Sequence, residues 1–453
     1  MDANKSIERL HQIQQQTNAC ITIFEKPVQH KKEGKLSNWS VAIKDNFVMK
    51  DVLTTAGSTI LSNYIGVYDA TVLTKLADEG VSYVAKTALD ELGMGGSGLT
   101  CFTGPTKNPL DLKRQAGGSS SGSAAVMAAN AVDLALGSDT GDSVRKPASY
   151  CGVVGVKPTY GRISRYGVIP YASSLDHVGY FTHNVMDSVK ALEVMAGFDL
   201  KDPTTLIQQL PAISNVITGD LKGKKIAIFK NVIDHIDKVE TKQLFEQVID
   251  ACKQQGALVS EVVMDEKLLK TMLPTYYILA NCEATANHAN LVGINFGLAQ
   301  DGEDIYDIMK KSRTHGFNEM IRRRFVIGSF GLKDENQEEL YVKAQKIRRL
   351  LVDQLSKALA DVDVLIAPAS SDVAPLLESD DADRLSNKHL ISENHMVLGN
   401  FSGFPSMTIP MGNINSLPIG LNINAKAMDE QTMFDVALGL EKVINYKKVK
   451  GEV

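Results

Sequence analysis

Cysteine is scarce and unpaired in this sequence. Its five residues, Cys20, Cys101, Cys151, Cys252 and Cys282, are odd in number, lie far apart and form no CxxC. That argues against a disulfide scaffold or a zinc site, and for a reducing compartment. Charge of one sign is scarce too. A net charge of -5 leaves no reservoir that would by itself draw the chain to nucleic acid or a membrane surface. The run Arg322-Arg323-Arg324 is local, and taken alone is a solvated helix face. Long apolar runs are missing: the most apolar stretch, 124–137, contains Asn130 and Asp133 and is too short to span a bilayer. The opening MDANKSIERLHQIQQQ has no apolar signal segment. There is no P-loop and no metal-ligand cluster, so no metal site is expected. What remains is 44% hydrophobic and 22% charged, the profile of a soluble, cytoplasmic chain long enough for a large core.

Strand and helix patterns alternate along the chain. Residues 4–16 predict a short polar helix within an N-terminal segment 1–37. Residues 39–43 (WSVAI) predict a buried strand that ends at Lys44-Asp45-Asn46, 69–79 an amphipathic helix, and 81–85 a strand after the Gly80 stop. From Gly93 to Gly122 the chain turns rich in glycine and serine. An Ala-rich helix at 124–130, a strand at 133–136, the loop GSDTGDSVRKPA and a strand at 153–157 follow. Residues 225–263 show a βαβ pattern. In the helix predicted over 337–359, Leu340, Ala344, Ile347, Leu351, Leu355 and Leu359 form one apolar stripe. Residues 361–367 predict a buried strand stopped by Pro368. No fixed-period repeat is present. The pattern predicts a single large α/β domain over 1–453 with helices on both faces of its sheet.

Three features carry chemistry. They are Lys44 at a strand end, the loop Gly117-Gly118-Ser119-Ser120-Ser121-Gly122-Ser123, and the segment Ser138-Asp139-Thr140-Gly141-Asp142-Ser143-Val144-Arg145. An amide is a poor electrophile, so its cleavage needs an activated nucleophile and a stabilised oxyanion. A glycine-flanked serine on a tight loop lets backbone N–H groups converge beside its hydroxyl, and Thr140, Gly141, Asp142 and Ser143 can supply them. The nine histidines are scattered, and none lies in either serine loop. A Ser-His-Asp triad stays open on that ground alone, though nothing points to one, and no GxSxG elbow stands out. Lysine can serve as the base where burial lowers its pKa, and Lys44 beside an apolar strand is placed for that. Taken singly, these features have plainer explanations: GGSSSGS is a linker composition and a lone lysine is usually at the surface. Asp139 and Arg145 are expected to pair and brace the nucleophile loop, and Cys151 to be a packing residue.

The segments GGSSSGSAA and SDTGDSVRKPASYCGVVGVKPTYGRISRYG, with Ser143 placed 24 residues after Ser119 and Ser119 placed 75 after Lys44, resemble the amidase-signature family. AIKDNF, DATVLTKL, DELGMG, GPTKNP, SRYGVIPYASSLDHVG and NFSGFPSMTIP narrow the resemblance to the branch that supplies ammonia within tRNA-dependent amidotransferases. The similarity covers about 38–442. It implies a large mixed central sheet covered by helices on both faces, with Ser143 as nucleophile attacking the side-chain amide of glutamine. Ser119, behind a cis peptide bond from Gly118, would relay the proton, and Lys44 would be the base. It implies partner subunits B and C, with ATP and Mg²⁺ in the partner and no cofactor in this chain. Misacylated tRNA would be met through the complex rather than mainly through this chain, and no membrane is implied. For glutamine itself the resemblance implies an Arg at Arg323 or Arg324, a Tyr at Tyr276 or Tyr277, and an acidic residue at Glu393.

The sequence departs from the family at several points. Asp142 stands where the family has Gly, which places a carboxylate beside the nucleophile; Ser121 replaces another usual Gly. Glu393 stands where the family has Asp. The chain begins closer to its lysine motif than is usual, so a leading helix is expected to be missing. Two other functions compete: a free-standing amidase for another small amide, and a catalytically weak scaffold for which Asp142 is the main support.

Overall fold

Thirteen strands form in the computed structural model, which describes residues 2–379 and 385–453. They are β1 (Cys20–Val28), β2 (Ser40–Lys44), β3 (Ser82–Thr87), β4 (Lys107–Asn108), β5 (Asp111–Gln115), β6 (Leu134–Asp139), β7 (Val154–Lys157), β8 (His177–Thr182), β9 (Lys225–Phe229), β10 (Leu258–Val262), β11 (Val364–Pro368), β12 (Ser406–Ile414) and β13 (Leu417–Ala425). Strands β4 and β5 make a separate ribbon. The other eleven form one sheet in the order β1-β3-β2-β6-β8-β7-β12-β13-β11-β9-β10. The sheet is mixed: β2 runs parallel to β3 and β6, and β9 parallel to β10 and β11, while β6–β8, β8–β7, β7–β12 and β12–β13 are antiparallel.

Alternation along the strands separates two faces. Val41 and Ile43 of β2, Leu134 and Leu136 of β6, and Val364 and Ile366 of β11 enter one core. Ala42 and Ala135 enter a second core with the N-terminal helix Ala3–Thr17 and the helix Ser121–Ala128. Leu365 and Ala367 enter a third core, packed beneath the helices Met272–Asn287, Glu319–Leu332 and Lys343–Leu359. The central strands are apolar on both sides because helices cover both.

The helix Ser121–Ala128 is buried along its whole length. Its small residues (SGSAAVMA) let it lie close to the sheet, and it delivers the preceding serine loop to the ends of β2 and β6. Because β2 and β6 are parallel neighbours, with Val41 opposite Leu134 and Ala42 opposite Ala135, their carboxyl ends emerge side by side.

Two sequence expectations need correction. Residues 1–37 are not only helical: Cys20–Val28 is the edge strand, paired antiparallel to β3. The CITIFEKPV run alternates imperfectly and contains a bulge, which hides its strand period. The helix predicted from 337 becomes regular α-helix only at Lys343, after a wider π-type turn over Glu338–Val342. Of its stripe, Ala344, Leu351, Leu355 and Leu359 are fully buried.

Candidate active site

Lys44 is the last residue of β2 and has no exposed surface. Its Nζ donates to Ser119 Oγ at 2.8 Å, Ser120 Oγ at 2.9 Å, Ser138 Oγ at 2.9 Å and Ser138 O at 3.3 Å. All four partners are uncharged oxygens. Burial therefore lowers the Lys44 pKa from 10.5 to about 7, and the more distant Asp90, Asp139 and Asp176 offset only part of this. Lys86, one strand away, is a useful contrast. It is as deeply buried, and burial lowers its pKa too, but its Nζ lies 2.7 Å from Asp45 Oδ1, whose charge offsets part of that lowering.

Ser119 follows a cis peptide bond from Gly118. A side chain at Gly118 would overlap the Asp90 carboxylate, so only glycine fits there. Asp90 in turn fastens the neighbouring loop, accepting from Gly98 N–H at 3.0 Å and from Thr100 Oγ1 at 2.8 Å, while its own N–H donates to Ser119 O at 3.1 Å. The two serine loops are tied directly: Ser120 N–H donates to Ser143 O at 3.1 Å.

Ser143 lies in the turn between β6 and the helix Arg145–Cys151, almost fully buried. The expected Asp139–Arg145 pair forms with no exposed surface. Arg145 Nη2 lies 2.8 Å from Asp139 Oδ1, and its Nε lies 3.1 Å from Oδ2. The same guanidinium donates to Gly141 O at 2.8 Å, Asn400 Oδ1 at 2.6 Å and Met396 O at 2.8 Å. Asp139 Oδ2 also accepts from Val144 N–H at 2.9 Å, and Thr140 Oγ1 donates to Asp176 Oδ1 at 2.7 Å. The turn is thus held at both ends. The N–H groups of Gly141, Asp142 and Ser143 find no acceptor among the described residues, unlike that of Val144. Free donors on a rigid turn beside a serine hydroxyl are what a developing oxyanion requires.

The expected substrate residues separate into those near this turn and those away from it. Tyr276, on the helix Met272–Asn287, packs on the nucleophile turn so closely that a Cβ at Gly141 would come within 3.1 Å of its ring. Arg324 is half-buried on the helix Glu319–Leu332. Its Nη1 donates to Tyr171 Oη at 2.9 Å and its guanidinium lies 5.4 Å from the centre of the Tyr277 ring. Tyr171, Tyr276 and Tyr277 form one aromatic wall, with ring centres 6.5 Å and 5.7 Å apart for the two Tyr276 pairs.

Arg323 does not join it. Neighbouring helix positions diverge by about 100°, which turns Arg323 outward to an exposed pair with Glu319 at 2.5 Å. Glu393 lies beside the nucleophile turn but is already engaged: Oε1 accepts from Ser371 N–H at 3.0 Å and from the Ser371 hydroxyl, and Oε2 lies 3.4 Å from Lys146 Nζ. Both of its carboxylate oxygens therefore already have partners. The Asp142 side chain also turns to Lys146, at 3.3 Å.

Several residues at the site were missed by sequence reasoning. Ser120 and Ser138 contact Lys44 directly, and both lie in the quoted motifs. Asp90, Tyr171, Asp176 and Asn400 lie within DELGMG, IPYASSLDHVG and NFSGFP, whose residue-level roles only the fold reveals. Cys151 is buried, which pushes its thiol pKa far up, in keeping with packing. Among the described residues no group of three His, Cys, Asp or Glu could hold a metal ion, and no helix is long and apolar enough to cross a membrane.

With a buried lysine bonded to two serines at the carboxyl end of a mixed sheet, the chain belongs to the amidase family. The Amidase model matches residues 3–434. Within it, the chain is 37% identical to the A subunit of glutamyl-tRNA(Gln) amidotransferase from Lactobacillus acidophilus over 447 residues, 97% of this chain and 92% of that one. It is 39% identical to the corresponding A subunit from Pseudothermotoga lettingae over 445 residues, 98% of this chain and 93% of that one. The crystal structure of the glutamyl-tRNA(Gln) amidotransferase A subunit from Thermotoga maritima matches with a TM-score of 0.85 at 33% identity, over 100% of this chain and 94% of that one. Peptide amidase from Stenotrophomonas maltophilia shares the fold, with a TM-score of 0.84 at 24% identity, over 100% of this chain and 96% of that one.

Proposed function

We propose that the chain is the glutamine-hydrolysing subunit of a tRNA-dependent amidotransferase, working in the cytoplasm through Ser143, Ser119 and Lys44. One observation carries the chemistry: Lys44, fully buried with its pKa drawn down to about 7, sits 2.8 Å from Ser119 Oγ with no carboxylate among the described residues in contact to hold its proton. A neutral amine is the form that can accept one. Lys44 takes the Ser119 proton while Ser119 takes that of Ser143. Ser143 Oγ then attacks the side-chain carbonyl carbon of glutamine, and the backbone N–H groups of Thr140, Gly141, Asp142 and Ser143 stabilise the oxyanion. As the C–N bond breaks, the proton returns from Lys44 through Ser119 to the leaving ammonia. Water then attacks the glutamyl ester by the same relay and frees glutamate.

Arg324 is the cation for the α-carboxylate, and the Tyr171–Tyr276–Tyr277 wall borders the substrate. The ammonia would pass to a B subunit, where ATP and Mg²⁺ activate misacylated tRNA, in a heterotrimer braced by a C subunit. This part rests on full-length similarity to the A subunits named above. A free-standing amidase is the second possibility, and Glu393 favours it: with both carboxylate oxygens engaged, it offers less to an α-ammonium group.

Ammonia release from glutamine, by the purified chain alone and with B and C subunits, separates the two. Hydrolysis abolished by Ser143→Ala and raised by partners, ATP and charged tRNA supports the amidotransferase reading. Glutamine left intact in every mixture while another amide is cleaved through Ser143 replaces it with the free-standing amidase.

A further inference from the structure

A carboxylate next to a nucleophilic serine opposes the negative charge that forms on the substrate oxygen, yet Asp142 occupies that position. Its surroundings supply the offset. Lys146 Nζ stands between two carboxylates, 3.3 Å from Asp142 Oδ2 and 3.4 Å from Glu393 Oε2, and also donates to Glu393 O. All three side chains are largely shielded from water, at 11%, 17% and 18% exposure for Lys146, Asp142 and Glu393, so their interaction is weakly screened. Burial disfavours the Lys146 ammonium, but the two carboxylates outweigh it and keep that side chain charged, whereas burial raises the Asp142 pKa and Lys146 offsets only part of that. Lys146 N–H also donates to Asp142 O at 2.9 Å, so backbone and side chain both fix the turn before Ser143.

We propose that Lys146 is a positioning residue for the reaction at Ser143: it draws the Asp142 carboxylate away from the oxyanion-forming N–H groups and cancels its charge, fastening it to Glu393 on the far side. This rests on Ser143 being the nucleophile, as proposed above, and not on glutamine being the substrate. Asp142 and Lys146 are then a coupled pair. Losing the lysine alone exposes the carboxylate, whereas losing both removes the problem.

The test is the rate at which a fluorophosphonate probe labels Ser143 in the full-length wild type, Lys146→Gln, and the double variant Asp142→Gly/Lys146→Gln. Labelling forms an oxyanion on the probe and needs no natural substrate, so failure to hydrolyse glutamine leaves its result readable. In Lys146→Gln, labelling slows about tenfold or more, the scale expected for an unmatched charge beside the forming oxyanion. The double variant recovers to within about threefold of wild type, as strongly coupled neighbours do. Lys146→Gln labelling at the wild-type rate overturns the proposal. A double variant as slow as the single one overturns it too, because Lys146 would then only support the turn. Absence of labelling in the wild type removes its basis.

Discussion

The two sides of the site are built differently. The Lys44–Ser119–Ser143 corner comes from strand ends β2 and β6 and two loops between residues 44 and 145. Its polar contacts are short, buried and mutually supporting. The opposite wall comes from Tyr171, from helices spanning 272–332 and from Glu393, brought in across long stretches of chain. It is partly exposed, and its charged groups, Arg324 and Glu393, already have local partners. Chemistry common to amides demands the first construction, since proton relay and oxyanion stabilisation tolerate little displacement. Substrate choice asks only for a shaped wall with one or two charges, which can drift.

That contrast predicts different kinetic signatures. The largest effect belongs to the corner: Ser143→Ala lowers kcat by about 10⁴-fold or more, the scale seen when a nucleophile is removed. Lys44→Met is expected to fall nearly as far while KM for the amide changes little. Both are checked by steady-state ammonia release. Asp139→Ala strikes the frame beneath the corner. It strands the Arg145 guanidinium without surface exposure, and it is expected to destabilise the fold by about 3–5 kcal/mol in denaturant unfolding.

Arg324→Met tests the wall. Losing the charge-assisted contact to a carboxylate costs about 1.5–3 kcal/mol, so KM rises about 10–150-fold with kcat nearly held. A fall in kcat alone would erase the division between the two sides. The pH profile sharpens the corner further. With the neutral Lys44 amine as the proposed base, log kcat/KM is expected to climb with unit slope as pH rises and to level off above about 7. Lys86→Met does not remove that limb, because the Lys86 Nζ contacts Asp45, Leu53 O and Thr54 Oγ1 rather than the serine loops. The smallest effect belongs to Arg323→Ala: an exposed ion pair is worth about 0–1 kcal/mol, and KM stays within about twofold of wild type.

Legibility in the sequence followed the same division. Ser119 and Ser143 sit in glycine-bearing loops and Lys44 at the end of an apolar strand, at the spacings of the family they resemble, and the serine turn admits few residues: Gly118 has no room for a side chain against Asp90. A sheet with helices on both faces was also expected, since β2, β6, β9 and β11 are short apolar runs with clear stops, while its mixed strand directions were implied only by the family resemblance. The edge strand β1 was not, because edge position and a bulge blur the two-residue period. On the wall, Arg323 and Arg324 could not be told apart without the helix rotation, and Tyr171 carried no signal until Arg324 was found on its hydroxyl. The engagement of Glu393 depends on Ser371 and Lys146 converging from distant segments, a tertiary fact that local spacing does not contain.

The most direct test is to quench the enzyme during glutamine turnover and locate the acyl group by peptide mass spectrometry. A γ-glutamyl ester on the peptide carrying Ser143, absent from Ser143→Ala and diminished in Lys44→Met, is the predicted result. Turnover of glutamine with the adduct on another residue, or with Ser143→Ala still active, would contradict the assignment of the nucleophile.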